Sequence, residues 1–204
     1  MRIMGLDEAG RGAVLGPLVV GAFTLDEERL DEVSATGATD SKKLSAKKRV
    51  RIAGELEALG VHGLRDISAL AIDAENINTL EERAFASLIA EHRPDRVIID
   101  APCHPAAIGA FCRRLLERLD YCPELVVEPK ADLNYPPCSA ASIFAKVHRD
   151  QCIEALGAVG SGYPSDPVTR RWLQERIDEG APLPSFVRHR WGTVTALAQG
   201  RLFR

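Results

Sequence analysis

Four acids stand where strand-like or loop segments end. Asp7 and Glu8 close an apolar segment near the N-terminus, Asp100 closes Arg96-Val97-Ile98-Ile99, and Asp132 lies in Lys130-Ala131-Asp132 ahead of a helical stretch. Central strands that each terminate in a carboxylate bring these acids to one edge of a sheet. Like charges placed so closely stay ionised together only when cations neutralise them. An all-oxygen donor set suits hard ions such as Mg²⁺ or Mn²⁺. A pair of such ions, roughly 3.5–4 Å apart, activates a water and stabilises the leaving oxygen of a phosphodiester. For any one of the acids the alternative is a plain solvent-facing position. Directly after Asp7-Glu8 comes Gly10-Arg11-Gly12, whose backbone amides and guanidinium suit a phosphate or a ribose. The glycines are also what a tight hairpin turn needs. They form no dinucleotide fingerprint, because the next glycine is Gly16 and a strand rather than a helix follows, and no Walker A sequence occurs.

The elements that must position these residues follow from apolar periodicity and turn chemistry. Arg2 to Asp7 and Pro17 to Leu25 read as strands, and their short Gly-rich linkage makes them an antiparallel hairpin. Ser45 caps a helix over Ala46 to Leu59 that Gly60 ends, and a second helix covers Thr79 to His92 before Pro94. Arg96 to Asp100 is a continuous apolar run, as in a strand buried on both faces. A helix from Pro105 to Leu119, a strand from Leu125 to Glu128, a long helix from about Ser139 to Leu156 and one or two C-terminal helices complete the reading. Antiparallel strands first and alternating strands and helices afterwards imply an α/β protein with a mixed sheet flanked by helices. Gly157 to Pro167 is the clearest break, so residues 1–160 are expected to form the main domain and residues 161–204 a small C-terminal helical extension packed on it.

At 204 residues with 46% hydrophobic and 27% charged residues, the chain can bury roughly 70% of its unfolded surface without disulfides or a structural metal. That composition excludes disorder, collagen-like repeats and a coiled coil. The longest mostly apolar run, Ala13 to Phe23, is too short to span a membrane and is broken by Gly16, Pro17 and Gly21. No leader pattern precedes the first strand, which points to the cytoplasm. Five widely spaced cysteines, with no C-x-x-C pair, read as reduced and buried small hydrophobes. His104 beside Cys103 lacks a partner pair at zinc spacing. A formal charge of −3 hides two basic stretches free of acids, six bases in residues 41–52 and four arginines in residues 186–204. They suggest a polyanion partner, the alternative being solvated helix faces.

Several blocks carry a resemblance. Gly5-Leu6-Asp7-Glu8-Ala9-Gly10-Arg11-Gly12 with Gly16-Pro17 resembles the N-terminal signature of ribonuclease HII. Asp40-Ser41-Lys42-Lys43-Leu44, Ile99-Asp100, Lys130-Ala131-Asp132, Ser139 through Asp150 and Gly160 through Pro167 resemble its later blocks in order. The likeness spans residues 3 to about 195 and is closer to the archaeal branch than to the bacterial one. It implies a ribonuclease H-like fold and endonucleolytic cleavage of RNA in RNA/DNA hybrids, including 5′ of a lone ribonucleotide in duplex DNA, leaving a 3′-hydroxyl and a 5′-phosphate. It places two Mg²⁺ or Mn²⁺ ions on Asp7, Glu8, Asp100 and Asp132. It also assigns reading of the 2′-hydroxyl to the Gly10, Arg11 and Gly12 backbone, and junction sensing to Tyr163. The 2′-hydroxyl is the group that distinguishes RNA from DNA at one nucleotide.

Lys42, Lys43, Lys146 and Arg149 are expected phosphate contacts that position a duplex without reading it. Lys146 and Asp150, four apart on a helix, could equally form a surface ion pair, Ser139 could be a helix N-cap, and Tyr163 could be a packed turn residue. Archaeal relatives often carry Lys where this chain has Gly192. The tail Gln199 to Arg204 resembles a short sliding-clamp-binding peptide with one Phe. Nothing in the chain demands a dimer, so a monomer is expected. Two rivals remain. One is a DNA nuclease of the same fold, which would share the acids but not need Gly10-Arg11-Gly12 and Tyr163; the other is an inactive hybrid-binding protein using the basic stretches alone.

Overall fold

β1 (Arg2–Ala9) and β2 (Leu18–Asp26) pair antiparallel from Arg2 opposite Asp26 to Ala9 opposite Val19, so the expected hairpin forms the centre of the sheet. The structure, a computed structural model, describes residues 1–38 and 44–200. Helix α1 (Leu30–Ala35) follows β2, and α2 (Ala46–Leu56) starts where Ser45 Oγ accepts from Lys48 N at 3.3 Å. Next come β3 (Val61–Ile67), α3 (Ala69–Ala74), α4 (Ile77–His92), β4 (Arg96–Asp100), α5 (Ile108–Leu116) and β5 (Glu124–Glu128). The short α6 (Ala131–Asn134), the long α7 (Pro136–Glu154), α8 (Pro167–Glu179) and α9 (Gly192–Gly200) complete the chain. The strand order is β3-β2-β1-β4-β5, with β3 antiparallel to β2 and with β1, β4 and β5 mutually parallel, which makes the mixed sheet expected.

Strand parity assigns the two faces. Met4 and Leu6 of β1, Leu18, Val20 and Ala22 of β2 and Val97 and Ile99 of β4 pack on Phe85, Leu88 and Ile89 of α4 and on Phe111 and Leu115 of α5. On the other face, Phe23 and Leu25 meet Ile52 and Leu56 of α2 and Ala140, Ala141, Ile143 and Phe144 of α7. Helix α7 lies against the hairpin because the strands carry no side chain at the crossing. A Cβ on Gly5 would lie 2.1 Å from the Pro137 carbonyl carbon, and one on Gly21 2.5 Å from the Ala141 carbonyl oxygen. The C-terminal helices share a core with the turn after β1. Leu173, Val187 and Val194 bury against Val14, Leu15 and Ile153, and Leu15 bridges Val187.

Three sequence expectations change. The long helix begins at Pro136, so Ser139 lies inside its first turn rather than capping it, because Pro at the first helical positions has no N–H to satisfy. β3 is a strand that the sequence pattern does not signal; as an edge strand it exposes His62 and Asp66 and lacks apolar alternation. The cysteines are free as expected, but among them only Cys138 is buried and Cys122 is exposed.

Candidate active site and metal centre

β1 and β4 run parallel with Leu6 beside Ile99, which sets Asp7 next to Asp100 on the face that α7 covers. The third acid needs a sharp change of direction after β5. Lys130 supplies it in the left-handed conformation (φ 63°, ψ 34°), and Asp100 Oδ1 accepts from Ala131 N at 3.1 Å. Ser139 then holds the segment from inside α7 by donating its hydroxyl to the Asp132 carbonyl oxygen. One carboxylate oxygen from each of Asp7, Asp100 and Asp132 consequently lies within 4.8 Å of the others. Glu8 is outside this group, since strand alternation turns it toward α4 and the buried Glu81. It remains electrostatically joined to the cluster, because Asp7, Glu81 and Asp100 all add to the rise that burial imposes on its carboxyl.

Burial pushes Asp7 up to about 6, against the pull of Lys146 and a Ser142 hydrogen bond, with Asp100 adding to the rise. Glu81 is pushed to about 7, burial outweighing its ion pair with Arg11. Glu8 Oε2 is buried with no hydrogen-bond partner among the described residues. Largely buried and oxygen-only, the set fits hard divalent cations, which would complete it.

The glycine turn is built by two buried arginines from different parts of the chain. Arg188, with no exposed surface, donates to Gly10 O at 2.7 Å, Arg11 O at 2.9 Å and Gly16 O at 3.2 Å. Gly10 has φ +89°, and a Cβ there would lie 2.2 Å from Arg149 Nε. The Arg11 guanidinium reaches Glu81 and Asn78 at the start of α4. Gly12 is exposed, with nothing within 4 Å of where its Cβ would be. Tyr163 is drawn to the turn from the loop before α8: its ring stacks under Arg149 at 4.6 Å, and Gly162 O accepts from Val14 N and Leu15 N.

Arg149 lies away from the surface position expected of a phosphate contact. It is 3% exposed and donates to Ser161 O and Leu15 O, so it braces the turn instead of meeting phosphate. An arginine on the solvent side of α7 would have served the role expected of it; the residue falls on the side where α7 meets the C-terminal loop. Lys146 faces the acids, donating to Ser142 Oγ at 2.7 Å, and Asp150 takes Arg49 Nη2 at 2.7 Å. Lys42 and Lys43 lie outside the described residues. Nothing in the sequence pattern singles out Glu81, Ser142 or Arg188. Arg188 sits in the basic stretch already noted, but that signal reads as surface charge and conceals a buried clamp.

A five-stranded mixed sheet with acids at the ends of neighbouring parallel strands and a helix-borne third acid defines a ribonuclease H-like α/β protein. Residues 4–194 match the profile of the Ribonuclease HII family. Ribonuclease HII of Thermococcus sibiricus is 40% identical, with 98% of this chain and 92% of that protein aligned. That of Methanocella arvoryzae is 43% identical over 99% and 96%. Among solved structures, ribonuclease H2 from Pyrococcus horikoshii superposes with a TM-score of 0.90 at 34% identity over all of both chains. The PCNA:RNase HII complex from Archaeoglobus fulgidus matches at 0.86, 38% identity and 96% of each chain. The chain belongs to the ribonuclease HII family. It is thus a nuclease of the ribonuclease H type, from a family that acts on RNA/DNA hybrids and typically depends on metal ions.

Proposed function

We propose that this enzyme cuts the RNA strand of RNA/DNA hybrids internally and incises duplex DNA 5′ of an embedded ribonucleotide, leaving a 3′-hydroxyl and a 5′-phosphate. The observation that carries the reading is the convergence of Asp7, Asp100 and Asp132 beside the Gly10-Arg11-Gly12 turn. Asp7, Asp100 and Asp132 would hold Mg²⁺ or Mn²⁺, and Glu8, outside their group but electrostatically joined to it, would complete the set for two ions, whose chemistry is to activate a water and neutralise the leaving oxygen. Lys146 keeps positive charge beside Asp7, favouring the ionised carboxylate. The Arg188 and Arg149 clamps preorganise the turn, so the backbone of Gly10, Arg11 and Gly12 meets a ribose 2′-hydroxyl without reordering. Open space at Gly12 lets the nucleic-acid backbone approach. Tyr163, on its Arg149 platform, would stack at the ribonucleotide–DNA junction, and Lys42, Lys43 and Lys146 would neutralise phosphates.

The enzyme would work as a cytoplasmic monomer. The described cysteines are all free, and no described helix is long and apolar enough to cross a membrane. A sliding clamp is a further partner of this reading, supported by the complex known for the Archaeoglobus relative; residues 201–204 of the tail resembling its peptide lie outside the described ones. The test is cleavage of an end-labelled DNA duplex with one ribonucleotide, in Mg²⁺ or Mn²⁺, beside an all-DNA control and Asp132→Asn. Incision only 5′ of the ribonucleotide, lost in the variant, is expected. Equal cutting of the control would favour a DNA nuclease, and tight binding without cutting in either metal a binding module.

A further inference from the structure

A second group of potential ligands lies away from the carboxylate cluster. Asp66 on the edge strand β3 and His148 and Cys152 on α7 each offer one donor atom, and these atoms lie within 4.8 Å of one another. His148 and Cys152 are four residues apart, one helical turn, and so share a face of α7. His148 Nε2 is 3.0 Å from Asp66 Oδ2. A tetrahedral ion with metal–nitrogen and metal–oxygen bonds of about 2.0–2.1 Å separates its donors by about 3.3 Å, so the pair needs only a slight adjustment to bind one. Asp66 and Cys152 also line a cavity of about 420 Å³ with Gly16, Pro17, Leu156 and Phe186. That space leaves room for a water in a fourth position.

We propose that Asp66, His148 and Cys152 form a second metal site selective for Zn²⁺-class ions, distinct from the hard-cation centre and tying β3 to α7. The donor set decides the class of ion. Sulfur, imidazole nitrogen and one carboxylate match a borderline-soft ion, whereas Mg²⁺ and Mn²⁺ prefer the oxygen-only cluster at Asp7. The site is accessible, with His148 and Cys152 half-buried and Asp66 exposed. Arg149 and Asp66 are the charged groups acting on Cys152, and their opposite signs leave the point without a large net repulsion for a cation. Loading breaks the Cys152 S–H bond, forms a sulfur–metal bond and releases the proton to solvent. The ion would replace a single Asp66–His148 hydrogen bond with a link across 82 residues of chain, beside the Gly16–Pro17 segment that carries the active-site turn.

The experiment titrates the full chain with Co²⁺, then Zn²⁺, in saturating Mg²⁺ that occupies the carboxylate centre. One Co²⁺ per chain is expected to give a near-ultraviolet thiolate-to-metal charge-transfer band, which Zn²⁺ displaces. The band should vanish in Cys152→Ser, persist in Asp132→Asn, and Zn²⁺ affinity should fall more than about tenfold in His148→Ala. Melting in chelator checks that the two site variants fold like the wild type, and Zn²⁺ should raise the melting temperature of the wild type and of Asp132→Asn, but not of Cys152→Ser. No band in the wild type, or a band that survives Cys152→Ser, overturns the proposal.

Discussion

Replacing Arg188 by methionine tests whether the C-terminal segment builds the active-site turn. Methionine keeps most of the side-chain length but leaves the carbonyls of Arg11 and Gly16 without their donors and strips Gly10 O of its charged one, Ala13 N at 3.1 Å remaining. Each buried acceptor left unpaired costs about 1–3 kcal/mol and a lost bond to a charged donor about 1.5–3 kcal/mol, which is roughly 6 kcal/mol together. Against this stands the removal of a desolvated charge. Burial draws Arg188 down from 12.5 to about 10, a penalty on the order of 3 kcal/mol. The net destabilisation is therefore about 3 kcal/mol, and for a chain of this size the melting temperature should fall by about 6–12 °C. Arg188→Lys should recover only part of this, because an ammonium cannot fork across three acceptors. Cleavage assays at a temperature where the variants stay folded should show lost preference for ribonucleotide-containing duplexes over all-DNA, because the turn is no longer held. A methionine variant that melts within 2 °C of the wild type, as unremarkable surface changes do at about 0.5 kcal/mol, and keeps its preference would refute the clamp.

The other predictions concern the acids and the glycines around them. Burial raises Asp7 to about 6 and Glu81 to about 7, so the native state binds more protons than the unfolded chain between about pH 4 and 7. This contribution is full below pH 4 and is lost as pH rises through those values. Without metal, melting temperature should decline from pH 5 to pH 8, Asp7 alone accounting for about 1–1.5 kcal/mol over that interval. Saturating Mn²⁺ should flatten the decline, and identical profiles in chelator and Mn²⁺ would contradict the metal assignment. Gly5→Ala drives a methyl into the Pro137–Cys138 backbone and should cost about 3 kcal/mol or more, measured by denaturant unfolding. Near-wild-type stability would mean that α7 does not need to approach β1 so closely. Gly12→Ala meets nothing within 4 Å and should melt within about 0.5 kcal/mol of the wild type while losing cleavage. Unchanged turnover would remove this residue from the substrate path.

The identity of the chemistry was legible in local features. The acid after each apolar strand, the glycine turn behind Asp7-Glu8 and the αβ alternation depend on residue type and short spacing, which covalent order preserves. Ser45 as a cap and the β1–β2 hairpin were legible for the same reason. The edge strand β3 was not, because an edge exposed to water needs no apolar alternation. Arg149 and Arg188 show the larger gap. Both read as surface cations, yet one lies under Tyr163 and the other inside the turn. Their destination depends on α7 and the C-terminal segment both meeting the turn after β1, contacts between residues more than 130 apart in the chain. Glu8 makes the same point in one residue. Covalent order alone sets Asp7 and Glu8 together at a strand end, and with them the class of reaction. That Asp7 joins Asp100 and Asp132 while its neighbour turns toward Glu81 follows from the fold, because the pleat alternates sides and the packing of α4 and α7 fixes what each side meets.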